Sequence, residues 1–358
     1  MNEQQFTCQL MHWNSVHNRR EMPWKGLKDP YRIWLSEIIL QQTRVEQGWD
    51  YYERFAEKYP TIKHLAAAND DEVFKLWEGL GYYNRCKNLL YTARFIATNS
   101  NGEFPSKYAA ILSLKGVGPY TAAAIASFAF DLPYAVVDGN VLRVLSRIFG
   151  IDKAIDTTEG KKYFSDLAQK LLHIKKPALY NQAIMDFGAT VCLPSSPACK
   201  NCPIQSICYA FNNGKINQLP VKEKVLKKKD RWFNYFVFTA EDKILINKRT
   251  GKDIWQNLFE FYLIETNAKL NWSNPTIKKI MLNEFGISDF ELLEVTDSLK
   301  QELTHQKIHI RFVQVLLNEI PQVLLNYEWI KRDDMQRLAF PKLLNQFVKT
   351  KFFSDVLF

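Results

Sequence analysis

Two carboxylates in the sequence stand in contrasting company. Glu37 lies within Tyr31-Arg32-Ile33-Trp34-Leu35-Ser36-Glu37-Ile38-Ile39-Leu40-Gln41-Gln42-Thr43, a helical stretch that is apolar on nearly every side. Burial among such groups favours the neutral acid, and a carboxyl kept protonated near neutrality can donate its proton. Asp138 follows Ala135-Val136-Val137 and precedes Gly139-Asn140-Val141-Leu142-Arg143, where a second helical pattern begins. An aspartate there caps the helix, and the helix N-terminus favours its ionised form. The sequence predicts one acid held neutral and one held charged. That pairing suits the breaking of an N-glycosidic bond, where the leaving base needs a proton and the sugar passes through a cation-like state.

Four cysteines, Cys192, Cys199, Cys202 and Cys208, form C-x6-C-x2-C-x5-C, with Pro194, Pro197 and Pro203 turning the chain between them. Four thiolates so close in sequence can converge on Zn²⁺ or on an iron–sulfur cluster, and the spacing alone does not choose. No open-site histidine or acid accompanies them, so a structural role is expected. Cys8 and Cys86 stand apart and read as packing residues.

Leu114-Lys115-Gly116-Val117-Gly118-Pro119-Tyr120-Thr121-Ala122 lies between two helical stretches. Gly116 and Gly118 permit positive φ and leave backbone N–H groups open, and Pro119 suits the first turn of a helix. Bare amides at a helix start make an anion site, with a phosphate as the natural guest.

The elements that must position these groups fall into two sets. Residues 1–215 read as helix after helix: Tyr31–Thr43, Asp70–Glu78, Asn84–Ala97, Tyr120–Phe130, Gly139–Phe149 and Lys162–Leu172 carry apolar residues three and four apart. Val221–Arg231, with six basic and two acidic residues, reads as a solvated linker, placed at 216–231. Beyond it the period changes to two. Trp232–Thr239, Lys243–Lys248, Leu258–Glu265 and Ile308–Leu317 read as strands, Asn274–Phe285 and Pro341–Lys351 as helices. The expected architecture is a mainly α domain over 1–215, then an α+β domain over 232–358. The 358 residues carry a formal charge of +9, which favours a polyanionic partner. No segment reads as a secretory signal or a membrane span, so the chain is expected in the reducing cytoplasm, at the nucleoid if bacterial.

Taken together, the hairpin, the basic charge and the cysteine loop resemble the helix-hairpin-helix DNA glycosylases, which include endonuclease III. Pro23-Trp24, Asp29-Pro30-Tyr31, Trp34-Leu35-Ser36-Glu37, Leu40-Gln41-Gln42-Thr43, Gly79-Leu80-Gly81-Tyr82-Tyr83, Val137-Asp138-Gly139-Asn140 and Tyr180-Asn181-Gln182-Ala183 narrow this to a resemblance to the adenine DNA glycosylases of the MutY type. The resemblance implies a [4Fe–4S] cluster on the four cysteines. It implies a monomer acting on double-stranded DNA that carries adenine opposite 8-oxoguanine or guanine. It makes Glu37 the proton donor and Asp138 the stabiliser of the sugar cation, with Asn140 and Tyr120 beside the reaction centre. It places Gln42 and Tyr82 in the base stack, Arg20, Trp24, Leu40 and Gln182 around the extruded adenine, and Gly116 and Gly118 on a phosphate. Endonuclease III-type relatives that also cut the strand carry a lysine where this chain has Tyr120. A glycosylase that leaves an abasic site is therefore expected over a bifunctional lyase.

The second domain resembles the Nudix-like lesion-recognition domain of the same family. Gly251 to Phe261 matches its G-x-x-x-W-x-x-L-W-E-F stretch with Phe259 in place of the second Trp, and Leu303-Thr304-His305 matches its Phe-Ser-His loop. The metal-holding Nudix box is missing, so this domain is expected to bind and not to hydrolyse. Thr304 and His305 are the implied contacts to 8-oxoguanine.

Overall fold

The computed structural model describes residues 3–223 and 228–353. The chain divides into two compact units. The first comprises 1–67 and 87–225, the second 68–86 and 226–358.

The first unit is helical. Its centre is the helix Gly139–Phe149, whose Val141, Val144, Leu145 and Ile148 are buried among Phe6, Leu10 and Trp13 of Glu3–Val16, Phe164 of Thr158–Leu171 and Ile184 and Phe187 of Pro177–Thr190. Asp138 caps this helix at one end. At the other, Gly150 takes φ +70 and closes it. A second pair, Pro30–Leu40 and Pro119–Phe130, is buried over most of both helices. Asp29 caps the former through Tyr31 N and Arg32 N.

Helix Pro30–Leu40 ends three residues before the expected Thr43. Gln41 leaves the helical region and Gln42 turns through φ +57, a left-handed conformation unusual for a residue with a Cβ. The helices Glu3–Val16 and Val45–Lys58 were not singled out from the sequence.

The second unit is built on a mixed sheet of eight strands: β1 Lys229–Ala240, β2 Lys243–Lys248, β3 Phe259–Glu260, β4 Tyr262–Thr266, β5 Glu291–Val295, β6 Leu299–Glu302, β7 Gln306–Leu317 and β8 Glu328–Lys331. Strands β1 and β7 run parallel in register from Lys229↔Gln306 to Ala240↔Leu317. Alternation along β1 sends Phe236 and Phe238 to one face, where Phe285 of helix Asn274–Phe285 covers them. Phe312 of β7 stacks on Phe347 of helix Lys342–Phe352 at 3.9 Å.

Two expectations change here. The basic stretch read as linker is in part structure, because Lys229, Asp230 and Arg231 belong to β1. Residues 224–227 of that stretch lie outside the described residues. The segment 68–86 also packs with the sheet unit, although in sequence it falls within the helical run. Glu78 accepts hydrogen bonds from Phe340 N (2.8 Å) and Asn345 Nδ2 (2.9 Å), Lys75 donates to Leu338 O, and Lys248 pairs with Asp71 at 2.6 Å. These contacts span well over a hundred residues, beyond the reach of any local pattern. Among the described residues, no helix is long and apolar enough to cross a membrane.

Candidate active site

The first unit encloses a cavity of about 630 Å³ that Glu37, Tyr120, Asp138, Asn140, Arg20, Trp24, Leu40 and Gln182 all line. Residues from five separated stretches meet there.

Glu37 is 6% exposed. Burial raises its carboxyl to about 7, against one hydrogen bond donated by the Tyr120 hydroxyl and with Asp138 adding to the upward push. Burial also holds the Tyr120 hydroxyl neutral, with its pKa well above the usual range.

Asp138 departs from expectation. Its carboxyl is raised, not lowered, and the largest cause is again burial. The helix start does act on it: Val141 N donates to Oδ1 at 2.8 Å and Asn140 Nδ2 to Oδ2 at 2.7 Å, with Arg143 nearby. These oppose desolvation without reversing it. Both acids are therefore pushed the same way. They differ in that several groups hold the charge of Asp138, whereas among the described residues Tyr120 alone donates to Glu37.

Asn140 is fixed in turn. Arg143 Nη2 donates to Asn140 Oδ1 (2.8 Å) and to Gly188 O (2.6 Å), while Nε donates to Cys192 O (2.8 Å). Arg147, 2% exposed, donates to Leu193 O, Pro194 O and Leu219 O and reaches Cys192 Sγ at 3.6 Å. The two arginines stand four apart on one helix face and tie the cysteine loop to the helix that Asp138 caps. That spacing was legible in the sequence, but its targets were backbone carbonyls, which no residue type announces. Arg147→Met is expected to lower stability by about 3 kcal/mol, because three carbonyls, that of Leu219 buried and two part-buried, lose a charged donor. An unchanged midpoint in chemical denaturation contradicts this.

Cys192, Cys199, Cys202 and Cys208 line one small cavity of about 20 Å³ with Ile148, Phe187, Val191 and Ile204. None is in a disulfide. Burial raises the thiols of Cys199, Cys202 and Cys208, that of Cys202 to about 11, so a bound positive centre is needed to make these three thiolates favourable. Among the described residues, no group of three or more His, Cys, Asp or Glu is gathered so as to hold a metal ion.

At the hairpin, Gly116 takes φ +82 and Lys115 O accepts from Thr92 Oγ1 at 2.9 Å. Gly118 does not use the positive φ that its lack of a side chain permits. It is the extended N-cap of Pro119–Phe130 at φ −94. A Cβ at Gly116 would come within 2.7 Å of Asn88 Cβ, whereas one at Gly118 would meet nothing within 4 Å. Gln42 is exposed and does not line the 630 Å³ cavity.

The second unit holds another cavity, of about 530 Å³, lined by Tyr82, Arg85, Trp255, Thr304 and His305 among others. Tyr82 and Thr304, 222 residues apart, share a hydrogen bond of 3.0 Å between their hydroxyls. Tyr82 also sits at φ +49, directly after Gly81, which takes φ +74. The residue is 48% exposed, and its ring has the Arg85 guanidinium over it. A strained, exposed aromatic is expected where function over-determines the backbone.

This fold and its cavity define a helix-hairpin-helix base-excision protein joined to a Nudix-type domain. Residues 35–171 match the HhH-GPD superfamily of base excision DNA repair proteins, and residues 234–350 match the NUDIX domain. The solved structure of a thermostable thymine-DNA glycosylase superposes with a TM-score of 0.54 at 31% identity, covering 59% of this chain and 96% of that one. Endonuclease III in a DNA complex shares the fold, with a TM-score of 0.52 at 22% identity over 60% of this chain and 98% of that one. An adenine DNA glycosylase of Buchnera aphidicola subsp. Baizongia pistaciae is 34% identical over 346 residues, 93% of this chain and 92% of its own. That of Mus musculus is 41% identical over 227 residues, 60% of this chain and 44% of its own. The chain belongs to the adenine DNA glycosylase family and is a DNA N-glycosylase of base excision repair.

Proposed function

We propose that the enzyme excises adenine opposite 8-oxoguanine, and opposite guanine, by hydrolysing the N-glycosidic bond and leaving an abasic site. Glu37 protonates the departing base. Asp138, held by Val141 N and Asn140, stabilises the sugar cation, and Tyr120 orients the Glu37 carboxyl. The observation that carries this reading is that two acids on different helices face one cavity with unequal support for their charges. Arg20, Trp24, Leu40 and Gln182 surround the extruded base. Extrusion costs a few kcal/mol, and Gln42 and Tyr82 offset part of it by filling the stack. Both carry left-handed backbone, which supports wedge roles. The chemistry belongs to the helical unit and lesion recognition to the sheet unit, which takes in 68–86. The protein acts as a monomer.

The four cysteines would hold a [4Fe–4S] cluster. Bound there, it supplies a structural tie whose binding energy is folding energy for the loop. Their shared apolar cavity and the neighbouring Arg147 guanidinium fit a thiolate-bound centre.

The deciding assay incubates protein with duplexes carrying adenine opposite 8-oxoguanine, adenine opposite guanine, or thymine glycol, with and without alkali. Cleavage at adenine that needs alkali is the expected result. Strand breaks without alkali, or activity on thymine glycol alone, would overturn the reading in favour of an endonuclease III-like lyase.

Two further outcomes are expected. Thr304→Ala with His305→Ala should narrow the preference for 8-oxoguanine over guanine by about tenfold, since each loses a polar contact. Equal discrimination in competition assays removes these residues from lesion recognition. At the hairpin, Gly116→Ala should cost about 2 kcal/mol of stability through its positive φ and the Asn88 clash. Gly118→Ala should leave stability nearly unchanged and weaken duplex binding by filling the space a phosphate needs. Unimpaired binding by Gly118→Ala contradicts the phosphate role.

A further inference from the structure

Asp186 is fully buried, and both of its oxygens are saturated. Oδ1 accepts from Arg20 Nη1 (3.0 Å) and Gln182 Nε2 (3.0 Å), and Oδ2 from Lys25 Nζ (2.9 Å) and Asn18 Nδ2 (2.9 Å). Three of these donors, Arg20, Lys25 and Gln182, belong to residues that line the 630 Å³ cavity, whereas Asp186 itself does not. One buried carboxylate thus sets the position of much of one wall.

It also sets polarity. A carboxylate ion only accepts hydrogen bonds, so the side-chain amide of Gln182 must turn its NH₂ toward Asp186. The i, i+4 spacing on helix Pro177–Thr190 keeps the two side chains together. The carbonyl oxygen of Gln182 is then the end presented to the cavity. An acceptor there favours a base with an exocyclic amino group. It disfavours a base with a carbonyl at the same place, because two acceptors face each other and a buried one is left unpaired.

We propose that Asp186 is a positioning residue that determines base specificity, locking Gln182 so that the pocket selects a 6-amino purine over a 6-keto purine. The proposal rests on the reading of this cavity as the adenine pocket. In Asp186→Asn the residue at 186 both donates and accepts, so the Gln182 amide can rotate and offer its NH₂ to the cavity.

The test compares single-turnover excision of adenine and of hypoxanthine, each opposite 8-oxoguanine, in wild type, Asp186→Asn, Gln182→Met and the double variant. The ratio of the two rates should fall by roughly tenfold to a hundredfold in Asp186→Asn. It should fall comparably in Gln182→Met and no further in the double variant. If Asp186→Asn lowers both rates equally and keeps the wild-type ratio, Asp186 is only structural and the proposal is overturned, although the pocket reading survives. If Gln182→Met itself keeps the ratio, the assignment of Gln182 to the base fails, and the proposal fails with it. Should Asp186→Asn not fold, the wild-type enzyme labelled with ¹⁵N at glutamine side chains decides the matter. The Gln182 amide, identified by its loss in Gln182→Met, should show one proton protected from exchange. Two freely exchanging protons would overturn the proposal.

Discussion

Glu37→Gln should slow adenine release by about 10²–10⁴-fold while duplex affinity changes by no more than a few-fold. Glutamine keeps the shape of the side chain and still fills the floor of the cavity, but it has no proton to give. In the wild-type protein a hydrogen bond from Tyr120 lowers the carboxyl's pKa, but burial dominates and raises it. The same substitution carries a stability signature whose sign is fixed. A carboxyl raised from 4.5 to about 7 on folding binds more protons in the native state than in the unfolded chain across that interval. Wild-type stability should therefore fall as pH rises from about 4.5 to about 7 and stay lower above it. The loss is on the order of 3 kcal/mol for a shift of this size. Glu37→Gln lacks the titration, so its melting temperature should exceed that of wild type at pH 8, with the gap closing toward pH 5. Parallel melting curves across that range would contradict a buried acid at this position.

Asp138→Asn should lower the excision rate by about 10²–10³-fold, the scale lost when one preorganised charge-stabilising group is removed. The substitution separates chemistry from architecture. Asparagine caps helices as well as aspartate does, so the bond from Val141 N survives. The cost to folding is one mismatch with the Asn140 amide, which cannot simply flip because its Oδ1 accepts from Arg143. A stability change of about 1 kcal/mol is expected. Denaturation and single-turnover rates measured on the same preparation would distinguish the two effects. A variant that loses its activity only in proportion to its folded fraction would assign Asp138 to the cap alone.

What the sequence made legible was local. The two periods, 3.6 and then 2, separate a helical set from a sheet set. The helix Gly139–Phe149 and the strand Lys243–Lys248 have the ends that periodicity predicts. Glu37 and Asp138 were readable because each is surrounded by its own context, an apolar stretch and a helix start. Features that depend on partners distant in sequence were not readable. Segment 68–86 carries ordinary helical periodicity, and nothing in it announces Phe340 or Asn345 as partners. The left-handed turn at Gln42 overrides a helical pattern that continued to Thr43. The upward push on Asp138 comes from burial, and this desolvation outweighs the helix start that the sequence displays. Asp186 looks like one more helix-face acid until Asn18, Arg20 and Lys25, more than 160 residues earlier, are folded onto it.

The most direct measurement is the pH dependence of single-turnover adenine excision between pH 5 and 9, with substrate saturating. An acid that must be protonated and titrates at about 7 gives a rate that falls about tenfold per pH unit on the alkaline side. The residual rate of Glu37→Gln should lack that limb. A wild-type rate flat from pH 6 to 9, or an identical limb in Glu37→Gln, would mean that the proton reaching the base does not come from Glu37.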